Sequence, residues 1–171
     1  MNEFVIPFSG LKNGLHSYEF EINKEFFEHF EYSEISRCNI KVDVELDKQE
    51  RMMVFSFQIK GEATVHCDRC FGLYDQDLSS VERLIVKTGD EEEEETEEIV
   101  NIPGKDYQFD LAPFIYEFVI LAFPIKRIHP KNKNGKSQCD PEILKILNDT
   151  IVEESQDPRW DALKKLKTDN K

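Results

Sequence analysis

The sequence predicts an α+β fold: a mainly antiparallel β-sheet with a buried helix and a C-terminal amphipathic helix. Three stretches carry that expectation. Ile40, Val42, Val44 and Leu46 alternate with Lys41, Asp43, Glu45 and Asp47, the two-residue period of a strand with one wet face. Phe114, Ile115, Phe118, Val119, Leu121 and Ala122 make a second stretch apolar nearly all round, as expected of a helix enclosed by a core. The ending DPRWDALKKLK brings Trp160, Leu163 and Leu166 back every third residue, behind Asp157 as cap and Pro158 at the first helical position.

Taken in order, Asn23 is a plausible cap for a short helix whose Phe26, Phe27 and Phe30 recur at helical spacing, giving it one aromatic face. The first strand, Ile40 to Leu46, is followed by a polar DKQE connection and by Met53, Phe55, Phe57 and Ile59 alternating with Ser56, Gln58 and Lys60. A connection of that length predicts a hairpin. Gly61 interrupts the pattern before Ala63, Val65 and Cys67 resume it, which predicts a bend or bulge leading into a third strand. Leu84 to Lys87 and Glu98 to Ile102 are further strand candidates on either side of an acidic stretch. Asp110 caps the apolar helix, Pro113 fits its first turn, and Pro124 ends it, because proline disfavours helical geometry in the residue before it.

A chain of 171 residues buries one substantial core. The expected organisation is a single domain over residues 1–156, containing a flexible acidic loop at 89–98, followed by a helix and tail at 157–171. The thirteen Phe and 39% hydrophobic content argue that most of the chain folds. The longest apolar segment, Phe114 to Phe123, is interrupted by Glu117 and is far short of the ~20 residues a membrane-spanning helix needs. The opening MNEFVIPFSG lacks a basic and then apolar leader, so the expected location is cytoplasmic. Four cysteines in that setting read as thiols or metal ligands before disulfides. There is no internal repeat, Gly-rich phosphate loop or dinucleotide fingerprint, and no small-molecule substrate is expected.

Net charge is −13, which opposes non-specific phosphate binding by the surface as a whole. The charge is uneven. DEEEEETEE, from Asp90 to Glu98, carries eight of the negative charges. Lys126, Arg127, Lys131, Lys133 and Lys136 follow with no acid among them, and Arg159, Lys164, Lys165 and Lys167 gather near the end. Any RNA contact is therefore expected in the C-terminal third, with Trp160 as a possible anchor for a partner.

The sharpest motif is Cys67-Asp68-Arg69-Cys70, because two thiolates separated by two residues can face one metal ion across a tight turn. His129 and Cys139 are the natural second half, although their spacing is longer than zinc fingers usually use; His66 is a competing ligand. The expected cofactor is one structural zinc. A thioredoxin-like dithiol needs a helix after the motif, whereas Phe71-Gly72-Leu73-Tyr74 reads as a turn and another strand. Glu117, alone in its helix, lacks the partners an active site requires.

Three ordered patches, GEATVHCDRC (Gly61 to Cys70), DLAPFIYEFVILAFP (Asp110 to Pro124) and DPRWDALKKL (Asp157 to Leu166), resemble the YceD-like family of large ribosomal RNA subunit accumulation proteins. The resemblance covers residues 38–166. It matches the family at Cys67 and Cys70 and departs from it at His129 and Cys139, where members often use further cysteines. It implies a non-enzymatic ribosome-biogenesis factor whose partner is large-subunit ribosomal RNA or a basic ribosomal protein. The rival expectations are a thiol redox protein using Cys67 and Cys70, and a protein–protein adaptor without RNA contact.

Overall fold

The computed structural model describes residues 2–30, 35–89 and 99–150. Its centre is a five-stranded sheet of β2 (Gly14–Ile22), β3 (Arg37–Lys48), β4 (Met52–His66), β5 (Leu73–Thr88) and β6 (Ile99–Ile102), in that spatial order. The first four strands pair antiparallel with their sequence neighbours, and β6 joins the edge parallel to β5. A two-stranded ribbon of β1 (Val5–Ile6) and β7 (Phe109–Asp110) lies beside it. Among the described residues, three α-helices accompany the strands: α1 (Lys24–Phe27), α2 (Ala112–Leu121) and α3 (Pro141–Thr150).

The alternation in β3 and β4 becomes an inner and an outer face. Ile40, Val42, Val44 and Leu46 are buried opposite Gly61, Ile59, Phe57 and Phe55. Aromatic rings carry the core from there: Phe57 packs edge-on against Phe118 of α2 at 5.0 Å, and Phe55 stacks on Phe109 at 5.7 Å. Asn23 caps α1, its Oδ1 accepting the Phe26 N–H at 3.3 Å, and Phe26 and Phe27 are buried as their spacing predicts. Asp110 receives the Ala112 N–H at 2.9 Å, satisfying one of the unpaired donors that open a helix.

Two expectations need correction, and one strand is longer than expected. Gly61 does not end a strand, because β4 runs unbroken from Met52 to His66 in continuous register with β3. Positions 59, 61, 63 and 65 share one parity, so the glycine leaves the alternation intact. Its role is close approach: a Cβ there would collide with the Asn39 carbonyl oxygen and lie 2.6 Å from the Ile40 Cα. Leu84–Lys87 is the end of the long strand β5. The helix expected to be buried is buried on one face only; Ala112, Ile115, Phe118 and Val119 face inward, whereas Glu117, Ile120 and Leu121 are exposed. Its near-uniform apolarity hid that division, which depends on where the sheet lies.

Besides the short ribbon of β1 and β7, two longer elements are additional. β2 alternates Tyr18, Phe20 and Ile22 with Ser17, Glu19 and Glu21 and pairs along its whole length with Ile40 to Lys48 of β3. α3 begins where Asp140 Oδ1 accepts the Glu142 N–H at 2.8 Å, and it rests on the core only through partly buried Leu144. The acidic residues 90–98 and the expected C-terminal helix at 157–166 lie outside the described residues.

Candidate metal centre and its flanking cleft

The chain reverses direction immediately after β4. Cys67 donates its N–H to the Gly72 carbonyl at 2.9 Å and accepts the Phe71 N–H at 2.8 Å, while the Arg69 N–H points at the Cys67 Sγ from 3.4 Å. This tight turn puts Cys67 and Cys70 on one side before β5 begins at Leu73. Gly72 keeps the backbone close to the cluster, since a Cβ there would sit 3.4 Å from the His129 ring and 3.5 Å from the Cys70 Sγ.

A reciprocal clip brings in the distant half. Asp68 donates its N–H to the Arg127 carbonyl at 2.7 Å, and its carboxylate accepts the Arg127 N–H at 2.7 Å. The Arg127 Nε lies 3.9 Å from the same carboxylate. His129 then packs against Tyr74 with ring centroids 5.0 Å apart. The long interval to Cys139 is taken up by a closed loop: Lys131 and Ser137 form an antiparallel bridge, and Asn132 Oδ1 accepts from the N–H groups of Asn134 at 3.0 Å and Lys136 at 2.9 Å. Gly135 supplies the positive φ of 75° the loop requires, a conformation glycine adopts without a Cβ clash. Ser137 Oγ accepts the Cys139 N–H at 3.2 Å and returns the chain to the site.

One ligand atom from each of Cys67, Cys70, His129 and Cys139 therefore lies within 4.8 Å of the others. The Cys67 and Cys139 Sγ atoms are 3.7 Å apart, and the Cys70 Sγ is 3.4 Å from the His129 Nδ1. These side chains form a Cys3His cluster that could hold a metal ion. Burial pushes the Cys67 thiol up, but the backbone N–H groups of His129, Arg69 and Cys70 and the His129 side chain outweigh it, bringing the pKa down to about 6. That cysteine is thus pre-set as a thiolate, the form that binds metals. Cys139 is raised, first by burial and then by its Cys67 and Cys70 neighbours, against the Ser137 hydrogen bond. Cys38 stands apart, with burial pushing it up to about 11 and its thiol directed at the Ile22 carbonyl at 3.7 Å.

His66, the competing ligand, is occupied elsewhere. Its Nδ1–H donates to the Phe71 carbonyl at 2.9 Å, and its ring stacks on Phe71 at 4.2 Å and 11°. The turn leads into β5 rather than a helix, so the thioredoxin-like arrangement is not formed. Of the cations singled out in the sequence, Lys126, Lys131, Lys133 and Lys136 are exposed around the cluster and Arg127 is half-buried beside Asp68. Arg159, Trp160, Lys164 and Lys165 lie outside the described residues.

Sequence reasoning missed the cleft beside the turn, about 520 Å³ in volume, lined by Ile35, Ser36, His66, Cys67, Asp68, Arg69, Phe71 and Arg127. Phe71 is 75% exposed and has a φ of 59°, among the described residues the only positive φ on a residue other than glycine. That left-handed conformation costs an ordinary L-residue about 1–2 kcal/mol. The sequence signal was a large aromatic directly after the second cysteine, where a tight turn favours glycine or asparagine.

Among protein families, residues 55–167 match the one described as large ribosomal RNA subunit accumulation protein YceD. No curated protein and no solved structure matches the chain.

Proposed function

The chain belongs to the YceD family, and on that premise we propose that it is a non-enzymatic ribosome-biogenesis factor. In this reading it works in the cytoplasm and supports accumulation of large-subunit ribosomal RNA by binding pre-ribosomal RNA through a basic loop anchored by structural zinc. The observation that carries the reading is the joining of two features: exposed Lys126, Lys131, Lys133 and Lys136 lie on the segment whose two ends are drawn into the Cys3His cluster by Arg127, His129 and Cys139.

The donor set and its spacing fit zinc. Tetrahedral zinc with Zn–S bonds of ~2.3 Å and Zn–N bonds of ~2.0–2.1 Å implies S–S edges of about 3.8 Å and S–N edges of about 3.5 Å. The Cys67–Cys139 pair is at 3.7 Å and the Cys70–His129 pair at 3.4 Å, and all four donors lie within 4.8 Å of one another. Three cysteines and one histidine leave no open position for a substrate, which favours a structural over a catalytic ion. When bound, the metal cross-links the turn after β4 to the segment before α3. Cys67, Cys70, His129 and Cys139 would hold it, and Arg69 steadies the Cys67 thiolate through its N–H. Ordering the loop in advance reduces the entropy lost when its cations meet phosphate.

The proposal extends the footprint to Arg159, Trp160, Lys164 and Lys165, on a basic helix at 157–171 appended to a domain over 1–156. A second reading has a specific observation behind it. The outer face of the sheet exposes Glu19, Glu21, Glu45, Glu62, Asp75 and Asp77, a surface suited to steering a basic ribosomal protein.

Two measurements test the proposal. Protein purified from zinc-supplemented medium should contain about one zinc per chain, as a single four-ligand site requires; metal-free protein whose thiols all titrate without unfolding would remove the zinc. Tagged protein should recover large-subunit ribosomal RNA. Changing Lys131, Lys133 and Lys136 together to Glu should weaken that recovery and flatten its salt dependence, because fewer counterions are released. Unchanged recovery and salt slope would shift the reading to a protein partner on the acidic sheet face.

A further inference from the structure

We propose that the cleft beside the Cys67–Cys70 turn is a binding site for an unpaired nucleotide of single-stranded RNA, with its base stacked on Phe71 and its phosphate held by Arg69 and Arg127. The inference rests on the RNA-binding reading above and adds a base-contacting site to it.

The first support is the placement of Phe71. Most of the protein's phenylalanines lie in its core; this one is 75% exposed and occupies a left-handed backbone position that a residue without a Cβ would fill at no cost. A strained, solvent-exposed aromatic points to a use for the ring, since such strain persists where the surroundings enforce it and collects at functional positions. The surroundings do enforce it. The Phe71 N–H is bonded to the Cys67 carbonyl, and the Phe71 carbonyl receives the His66 Nδ1–H.

The second support is the stack itself. His66 covers one face of the Phe71 ring almost in parallel, at 4.2 Å and 11°. The pair forms a rigid platform, and a base placed on the uncovered face would continue the stack. Aromatic platforms of this type bind unpaired bases with little sequence preference, because every base presents a π-face.

The third support is charge. Arg69 is exposed at the cleft, and Arg127 is fixed beside it by the Asp68 clip, which also offsets the one acid among the lining residues. Lys126, Lys131 and Lys133 continue the positive surface along the adjoining loop. A chain with a net charge of −13 gathers cations here next to an open ring, which is the combination single-strand binders use. A duplex would satisfy only the cations, since its bases are already stacked.

The test uses full-length, metal-loaded protein and three fluorescently labelled probes: a short oligouridylate, the same backbone without bases, and a duplex RNA of equal length. The oligouridylate should bind most tightly. Phe71→Gly should weaken it roughly 5- to 100-fold, the range for losing one base stack, down to the level of the abasic probe, with the salt slope unchanged. Phe71→Trp should restore binding. Phe71→Gly relieves the backbone position, so metal content and melting temperature verify that the fold is kept. Equal binding of oligouridylate and abasic probe by the wild-type protein, or unchanged oligouridylate binding by Phe71→Gly, overturns the stacking site. If the Lys131, Lys133 and Lys136 variant still loses ribosomal RNA in that case, the broader reading stands without it. If the wild-type protein binds neither the probes nor ribosomal RNA, both fall.

Discussion

The centre of the sheet and the segment from Pro124 to Asp140 are held in place by different physics. In β3, β4 and β5 the inner positions are fully enclosed, with Ile40, Leu46, Phe55, Phe57, Ile59 and Leu84 at 0% exposure, so apolar burial and continuous ladders keep the strands together. Between Pro124 and Asp140, Cys139 alone is buried. That segment keeps its shape through the Asp68–Arg127 clip, the Asn132 turn and the ligand cluster. A hydrophobic lattice tolerates the loss of any one polar group, whereas a segment with almost no core depends on its few polar and ligand contacts.

The largest effect on the sheet should come from Phe57→Ala, which removes a wholly buried ring packed on Phe118. The expected loss is about 3–5 kcal/mol of unfolding free energy, read by urea denaturation. Gly61→Ala should cost less, about 1–3 kcal/mol as overpacking usually does, because its new methyl meets the Asn39 carbonyl and the β3–β4 ladder must spread. A loss near zero would mean the strands separate there at no cost. Metal chelation should disturb the sheet least. Amide hydrogen exchange should accelerate across residues 124–140, while amides of Val44 and Phe57 stay protected. Loss of protection in β3 and β4 at the same time would break the contrast and make the cluster a clamp on the whole fold.

Much of the sheet was legible because strand periodicity is local. Alternation in residues 40–46 and 53–59 carried the middle of β3 and the first half of β4, and Asn23 marked the start of α1. The pattern misled where two packings share one sequence signature. A glycine that preserves parity looks the same as a break until the neighbouring backbone is seen, and an apolar helix does not reveal which side meets water. α3 was missed although Asp140, Pro141, Ile143, Leu144 and Leu147 carry a cap and a helical spacing. Candidate donors were legible from residue chemistry alone, but which histidine stands beside the three cysteines was not.

The sequence by itself determined the strand faces, the aromatic supply of the core, the candidate Cys and His donors and the segregation of cations toward the C-terminal third, because residue type and short-range period depend on no distant neighbour. Tertiary structure decided which donors meet. Cys67 and Cys139 are 72 residues apart in the chain, and Cys70 and His129 are 59 apart. Their convergence depends on the Asp68–Arg127 clip and on the path the chain takes past the end of the sheet. It also decided that His66 turns away to stack on Phe71 and that Phe71 stands exposed in a left-handed turn. Such facts arise from packing between segments remote in sequence, where hydrogen bonds and excluded volume select one arrangement among several that local patterns allow equally.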